Sequence, residues 1–232
     1  RKRIDFSKLE KLLSYQFKNK RSLEEAATHR SYLNENPKWP LPNNERLEFL
    51  GDAVLELIIT EALFEKFPKE QEGKLTTLRA ALVNYQMLAK LSKKIELEKF
   101  LMMSRGEAKD TGRAREVILA NAMEAIIGAI YLDGGYEEAK KMVKEFIFPE
   151  TENVIEKGLD RDPKSVLQER SQADLKLTPN YKLLSEKGPD HKKVFTIGVY
   201  FGEEEIAEGE GFSKQEAEVV AAQKALNKKG WS

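Results

Sequence analysis

Three carboxylates in the stretch Asn44 to Ala53, NERLEFLGDA, are spaced for chemistry: Glu45, Glu48 and Asp52 stand at i, i+3 and i+7. On a helix that spacing lines them along one face. Glu56, one turn further on, extends the stripe and marks the ordinary alternative of a solvated helix face. Gly51 argues for more. A glycine inside a helix costs about 1 kcal/mol relative to alanine, so a backbone is expected to pack closely beside Asp52. A second polar pair, Asn121 and Glu124, also shares a helix face, among Ala120, Ala122, Ala125 and Gly128, whose small size would admit a neighbouring helix. The chain has two histidines, His29 and His191, and no cysteine. Histidine-rich metal sites, Ser-His-Asp triads, thiolate zinc sites and disulfides are therefore unsupported, and carboxylate chemistry remains.

The elements that must position these groups follow from the patterning. Apolar residues recur at helical spacing from Asp5 to about Lys157, with breaks at Pro37–Pro42, Gln71–Gly73 and Asp110–Gly112. Ser22 with Glu25 reads as a capping box, and Asn43 as the cap of the acid-bearing helix, which should run to about Phe67. A second long helix should carry Glu116 to Leu132 and end at Gly134-Gly135. Met102-Met103 and Phe146–Phe148 read as core or dimer packing.

After Gly158–Asp162 the pattern changes. A helix from Lys164 to about Leu175 precedes strand-like alternation at Tyr181–Ser185, Phe195–Phe201 and Ile206–Gly211, with Glu203–Glu205 in a hairpin turn. Ser213 and Glu216 cap a closing helix through Leu226. The expected organisation is an all-α domain at 1–157, a linker at 158–162, and an α+β domain of order αβββα at 163–232.

The 232 residues include 39 basic and 39 acidic side chains, and residues 163–232 hold 11 of each, so bulk charge gives no hint of a polyanionic partner. Absence of cysteine suits a reducing compartment, with the cytoplasm as the expected location. No apolar run is read as approaching the roughly 20 residues needed to span a bilayer, so no membrane partner is expected.

ERLEFLGDA resembles the signature of the ribonuclease III family, the double-stranded-RNA endonucleases. Thr28-His29-Arg30-Ser31-Tyr32 before it and ILANAMEAIIGAIYLDGG from Ile118 to Gly135 after it stand in the family's order. The αβββα segment resembles the double-stranded-RNA-binding domain. The resemblance implies a homodimeric endoribonuclease that cuts double-stranded RNA with Mg2+, Mn2+ being able to substitute, and without an organic cofactor. It implies products with 5′ phosphate and 3′ hydroxyl and a role in rRNA and mRNA processing.

By the same resemblance Glu48, Asp52, Asn121 and Glu124 fall on the metal positions. Asp52 and Glu124 are the catalytic pair, Glu45 is a further active-site acid, and Phe49 lies at the dimer contact. His29 resembles a structural hydrogen-bonding residue. RNA contacts fall on Ser165, Gln168, Glu169 and Gln172, on His191, Lys192 and Lys193, and on Ser213 and Lys214. Gln215 stands where a second lysine is common, which should cost one phosphate contact. One departure is Asn121, where the bacterial pattern has Asp: an amide offers neutral oxygen in place of a charged ligand. The alternatives are a non-cleaving RNA-binding protein or inactivated variant, and a helical scaffold whose acid stripe is only solvated.

Overall fold

The computed structural model describes residues 4–109, 111–188 and 193–231. The chain divides into two compact units, Arg1–Asp160 and Arg161–Ser232.

The first unit is built from helices α1 (Ser7–Leu12), α2 (Lys20–Ala26), α3 (Arg30–Glu35), α4 (Glu45–Lys66), α5 (Glu72–Val83), α6 (Tyr85–Lys94), α7 (Arg113–Gly134), α8 (Tyr136–Phe146) and α9 (Glu150–Glu156). Its one strand-like contact among the described residues is an isolated bridge between Thr28 and Met102. Helix α7 is the centre. From Leu119 to Ile130 it is buried on all sides except at Asn121 and Glu124, and α4 packs against it more extensively than any other pair of elements pack. Each fully buried Leu or Ile there contributes about 1.5–3 kcal/mol relative to exposure. At 22 residues α7 is long and apolar enough to cross a membrane by length and composition alone, although Glu124 and Asp133 interrupt its apolar run. That apolar surface is consumed by the core of the helical unit. Met102, Met103 and Ile147 are likewise core residues, with Phe146 and Phe148 packed against them.

Helix termini correct two sequence expectations. Helix α2 starts at Lys20 with Asn19 as cap, accepting from Arg21 N at 3.1 Å, so Ser22 lies inside the helix and caps nothing. At α4 the cap position is Asn44, buried and turned inward, where Nδ2 donates to Ala26 O at 3.2 Å and its backbone N donates to Thr28 O at 2.9 Å. Asn43 still receives one free amide, from Glu45 N at 3.3 Å. The far end of α7 is pinned by Asp133, which accepts from Tyr15 OH at 2.7 Å, Lys18 N at 2.8 Å and Asn19 N at 2.9 Å. Those donors offset the penalty of an anion near a helix C-terminus.

The second unit has α10 (Pro163–Leu175), β1 (Pro179–Lys187), β2 (Val194–Phe201), β3 (Glu204–Gly211) and α11 (Lys214–Lys229). The strands form one antiparallel sheet in the order β1-β2-β3. Leu167, Val199, Phe201, Ile206, Ala221, Ala222, Ala225 and Leu226 make its core. Helix α11 sits so close to β3 that a Cβ on Gly209 would lie 2.2 Å from Ala217 O. Ser213 accepts from Glu216 N at 3.2 Å, and Glu216 accepts from Phe212 N at 2.8 Å, so the expected cap forms. The architecture is the expected helical domain followed by an αβββα domain.

The segment between α9 and α10 is not slack throughout. Leu159 N donates to Val154 O at 2.9 Å, Asp160 is buried and hydrogen-bonded by Lys74, and Asp162 caps α10 through Lys164 N and Ser165 N. Arg161 is the single residue between those two anchored acids.

Candidate active site

The acids converge because two glycines let α4 and α7 touch backbone to backbone. A Cβ on Gly51 would stand 1.8 Å from Glu124 O and 2.9 Å from Gly128 N; one on Gly128 would stand 2.3 Å from Leu47 O. No side chain fits at either position. Gly51 is flanked by Asp52 and lies one turn after Glu48, so the same contact that presses it onto the main chain of Glu124 brings those carboxylates to Glu124.

The electrostatics record that convergence. Burial, reinforced by the charges of Asp52 and Glu48, pushes the Glu124 carboxyl up to about 8. Burial and the neighbouring Glu45 also raise Glu48, with Asp52 adding, while a hydrogen bond from the Asn121 amide works the other way. Asn121 thus stands beside Glu48, where its neutral amide adds no like charge. Glu48, Asn121 and Glu124 are half-buried, while Asp52 and Glu45 are exposed. Glu45 faces Arg30, with Nη1 to Oε1 at 3.7 Å.

Among the described residues no three acidic or histidine side chains stand close enough together to enclose a metal ion. The donor chemistry nonetheless fits a hard divalent cation: three carboxylates and an amide, all oxygen donors, from two helices. Burial raises Glu124 most and the charges of Asp52 and Glu48 add to it; that second, like-charge part is what such a cation would relieve.

His29 is a cap, not a member of the cluster. Its Nδ1 accepts from Ser31 N at 3.3 Å and lies 2.8 Å from Ser31 Oγ, which itself accepts from Ser104 N at 3.0 Å. Burial lowers its pKa, which favours the neutral ring. Arg30, in the same five-residue box, was passed over by the sequence reading. The signal available for it was a cation at the centre of a box that precedes an acidic one.

Phe49 is 82% exposed, and Leu57 and Phe64 continue an apolar stripe along α4. Near the far end of that stripe lies a groove of about 420 Å³, lined by Thr60, Leu63, Phe64, Leu75, Thr76 and Arg79.

In the second unit Ser165, Gln168, Glu169 and Gln172 are all exposed along one face of α10. Ser165 Oγ donates to Asp162 Oδ2 at 2.7 Å, and Gln172 Nε2 donates to Thr178 Oγ1 at 3.1 Å. Ser213 and Lys214 are exposed at the start of α11, and Lys193 pairs with Glu186 at 2.6 Å. His191 and Lys192 lie outside the described residues, as does Asp110 of the expected break before α7.

Comparison with known proteins gives the same two parts. Residues 19–151 match the family model described as Ribonuclease-III-like, and residues 163–229 match the double-stranded RNA binding motif. The chain is 46% identical to Ribonuclease 3 of Nitratiruptor sp. over 217 residues, 94% of this chain and 93% of the relative. It is also 46% identical to Ribonuclease 3 of Campylobacter fetus over 220 residues, 95% of this chain and 96% of the relative. Among solved structures, it resembles the nuclease domain of ribonuclease III from Campylobacter jejuni, with TM-score 0.57 and 46% identity. That match covers 62% of this chain and 97% of the domain, which is described for flexibility in a region involved in its dimer formation.

Proposed function

The chain belongs to the ribonuclease III family, as a double-stranded-RNA endoribonuclease with its own RNA-binding motif, and from that premise we propose that it cuts duplex RNA with Mg2+ at the cluster of Glu48, Asp52, Asn121 and Glu124. The products carry 5′ phosphate and 3′ hydroxyl ends. The work fits the processing of rRNA and mRNA precursors in a reducing cytoplasm. The observation that carries the reading is the Gly51–Gly128 crossing, which packs the acid-bearing segment of α4 directly against the Glu124 backbone of α7.

A bound divalent cation supplies Lewis-acid activation of water and neutralises charge on the phosphoryl oxygens. Glu48 and Glu124 would hold it, with Asp52 orienting water beside it and Asn121 contributing a neutral oxygen or fixing Glu48. The chain's own contribution is preorganisation: the carboxylates sit on rigid helices and need little rearrangement as charge develops.

Duplex RNA is recognised by shape, through ribose and phosphate contacts across the minor groove. The exposed row Ser165, Gln168, Glu169 and Gln172, together with Ser213 and Lys214, suits that recognition and needs no excess of positive charge. We place His191, Lys192 and Lys193 in the same interface.

The active form is proposed to be a homodimer through α4. Phe49 and Phe64 are 15 positions apart, about 22 Å along a helix. An antiparallel two-fold pairing of two α4 helices centred near Leu57 sets Phe49 of one copy against the Phe64 groove of the other. Two acid clusters then serve the two RNA strands.

Cleavage of a long perfect RNA duplex, resolved on a gel with Mg2+ and with a chelator, tests the reading alongside Asn121→Asp. Cleavage by the unaltered chain supports a nuclease that works with an amide at position 121. Cleavage by the Asp variant alone would favour the non-cleaving, RNA-binding alternative, for which the neutral Asn121 amide beside Glu48 is the specific observation.

A further inference from the structure

We propose that Arg30 is an RNA-phosphate contact of the nuclease unit, held by Glu45 in the free protein and released to the RNA backbone on binding; the proposal rests on the duplex-RNA reading above. The backbone around Arg30 is fixed from both sides. Asn44 N donates to Thr28 O at 2.9 Å and His29 N to Met102 O at 2.9 Å, while Ser104 N donates to Ser31 Oγ at 3.0 Å. The residue is therefore set firmly beside the start of α4, three positions before Glu48.

Its side chain does nothing evident for the fold. The Arg30 side chain is 73% exposed, that of its partner Glu45 is 54% exposed, and the 3.7 Å separation of Nη1 from Oε1 is too long for a hydrogen bond. An exposed pair of that kind contributes little in water. Arg30 is also the first residue of α3, where a cation opposes the helix dipole. The proposed use of this cation lies outside the helix.

The use follows from charge. A phosphodiester brought to Glu48, Asp52 and Glu124 carries negative charge into a cluster of acids, on a chain whose basic and acidic residues balance at 39 each. A guanidinium at the rim can take two phosphate oxygens at once with its planar fork, which a carboxylate cannot do. Glu45 competes for that guanidinium, so it is both the resting partner and a brake on binding.

The test is fluorescence anisotropy of the full chain with a labelled RNA duplex of about 30 base pairs, long enough to extend past the roughly 16 base pairs one RNA-binding domain covers. It is run in a chelator over a range of salt, so that no cleavage occurs. Arg30→Ala should weaken binding several-fold and lower the slope of log K against log salt by about one contact. Arg30→Lys should restore the slope. Glu45→Gln should tighten binding, and the gain should vanish when combined with Arg30→Ala. Arg30→Ala with an unchanged salt slope, or Glu45→Gln tightening that persists without Arg30, would overturn the proposal while leaving the nuclease reading intact. Failure of the unaltered chain to bind the duplex would overturn both.

Discussion

Gly51 and Gly128 face one another across the α4–α7 crossing, and at each the opposite backbone fills the space that a Cβ would need: it would stand 1.8 Å from Glu124 O in one case and 2.3 Å from Leu47 O in the other. Two effects of opposite sign meet at Gly51→Ala. Helix propensity favours alanine by about 1 kcal/mol, while forced separation of two packed helices costs about 1–3 kcal/mol, and more when the clash is with backbone. The clash should win. We expect thermal denaturation to show net destabilisation and cleavage to fall disproportionately, because the acids separate with the helices. A variant of raised Tm and full activity would mean the close approach has no role.

Glu124→Gln should keep RNA binding and lower cleavage by about 100-fold or more, the scale for removing one electrostatic group from a preorganised site. Single-turnover rates at saturating Mg2+ decide the matter. Turnover near that of the unaltered chain would remove Glu124 from the proposed catalytic pair.

Proton linkage at Glu124 has a definite sign in the metal-free protein. Its folded pKa of about 8 lies above the ordinary 4.5, so the folded state binds more protons between those values. That contribution to stability is fully present below about 4.5 and is lost as pH rises toward 8. Melts in a chelator should therefore give a lower Tm at pH 9 than at pH 6, and Glu124→Gln should flatten the difference. An equal fall in the variant would assign the effect to another group.

The exposed stripe of Phe49, Leu57 and Phe64 predicts that Phe49→Ser shifts the protein from dimer to monomer in sedimentation velocity at micromolar concentration. Folding should be spared, because Phe49 contributes little to its own subunit's core at 82% exposure. A dimer of unchanged affinity would place the interface elsewhere.

Lys74→Met leaves the buried carboxylate of Asp160 without its cation. Breaking a buried pair from one side costs about 3–5 kcal/mol, and the value here should fall at or below the lower end because Lys74 is itself 36% exposed. Release of Gly158–Asp160 should expose the chain to trypsin after Lys157 and Arg161. Identical digestion patterns and rates for the two proteins would show that the pair does not hold this segment.

Much of the molecule was legible from local pattern. The i, i+3, i+7 acids fixed the face of α4, the Ser213–Glu216 pair fixed the start of α11, and two-residue alternation marked β2, because each depends on neighbours within one turn or one strand. Local signals failed where two candidates competed for one job. Asn19 took the cap that Ser22 and Glu25 advertised, and Asn44, not Asn43, was drawn into the core by carbonyls of residues 26 and 28. Period alone also could not show that the apolar α7 is a core helix; its burial against α2, α4, α6 and α8 does.

By itself, then, the sequence determined which carboxylates share a face, which glycines must meet another backbone, and where the helical half gives way to the αβββα half. Tertiary structure alone decided that Gly51 meets Gly128, that Asn121 lies beside Glu48, and that Arg30 rests against Glu45. The physical reason is range: periodicity and capping act within a few residues, whereas these contacts join segments about 15 to 77 positions apart, whose meeting is set by burial of apolar surface across the whole unit.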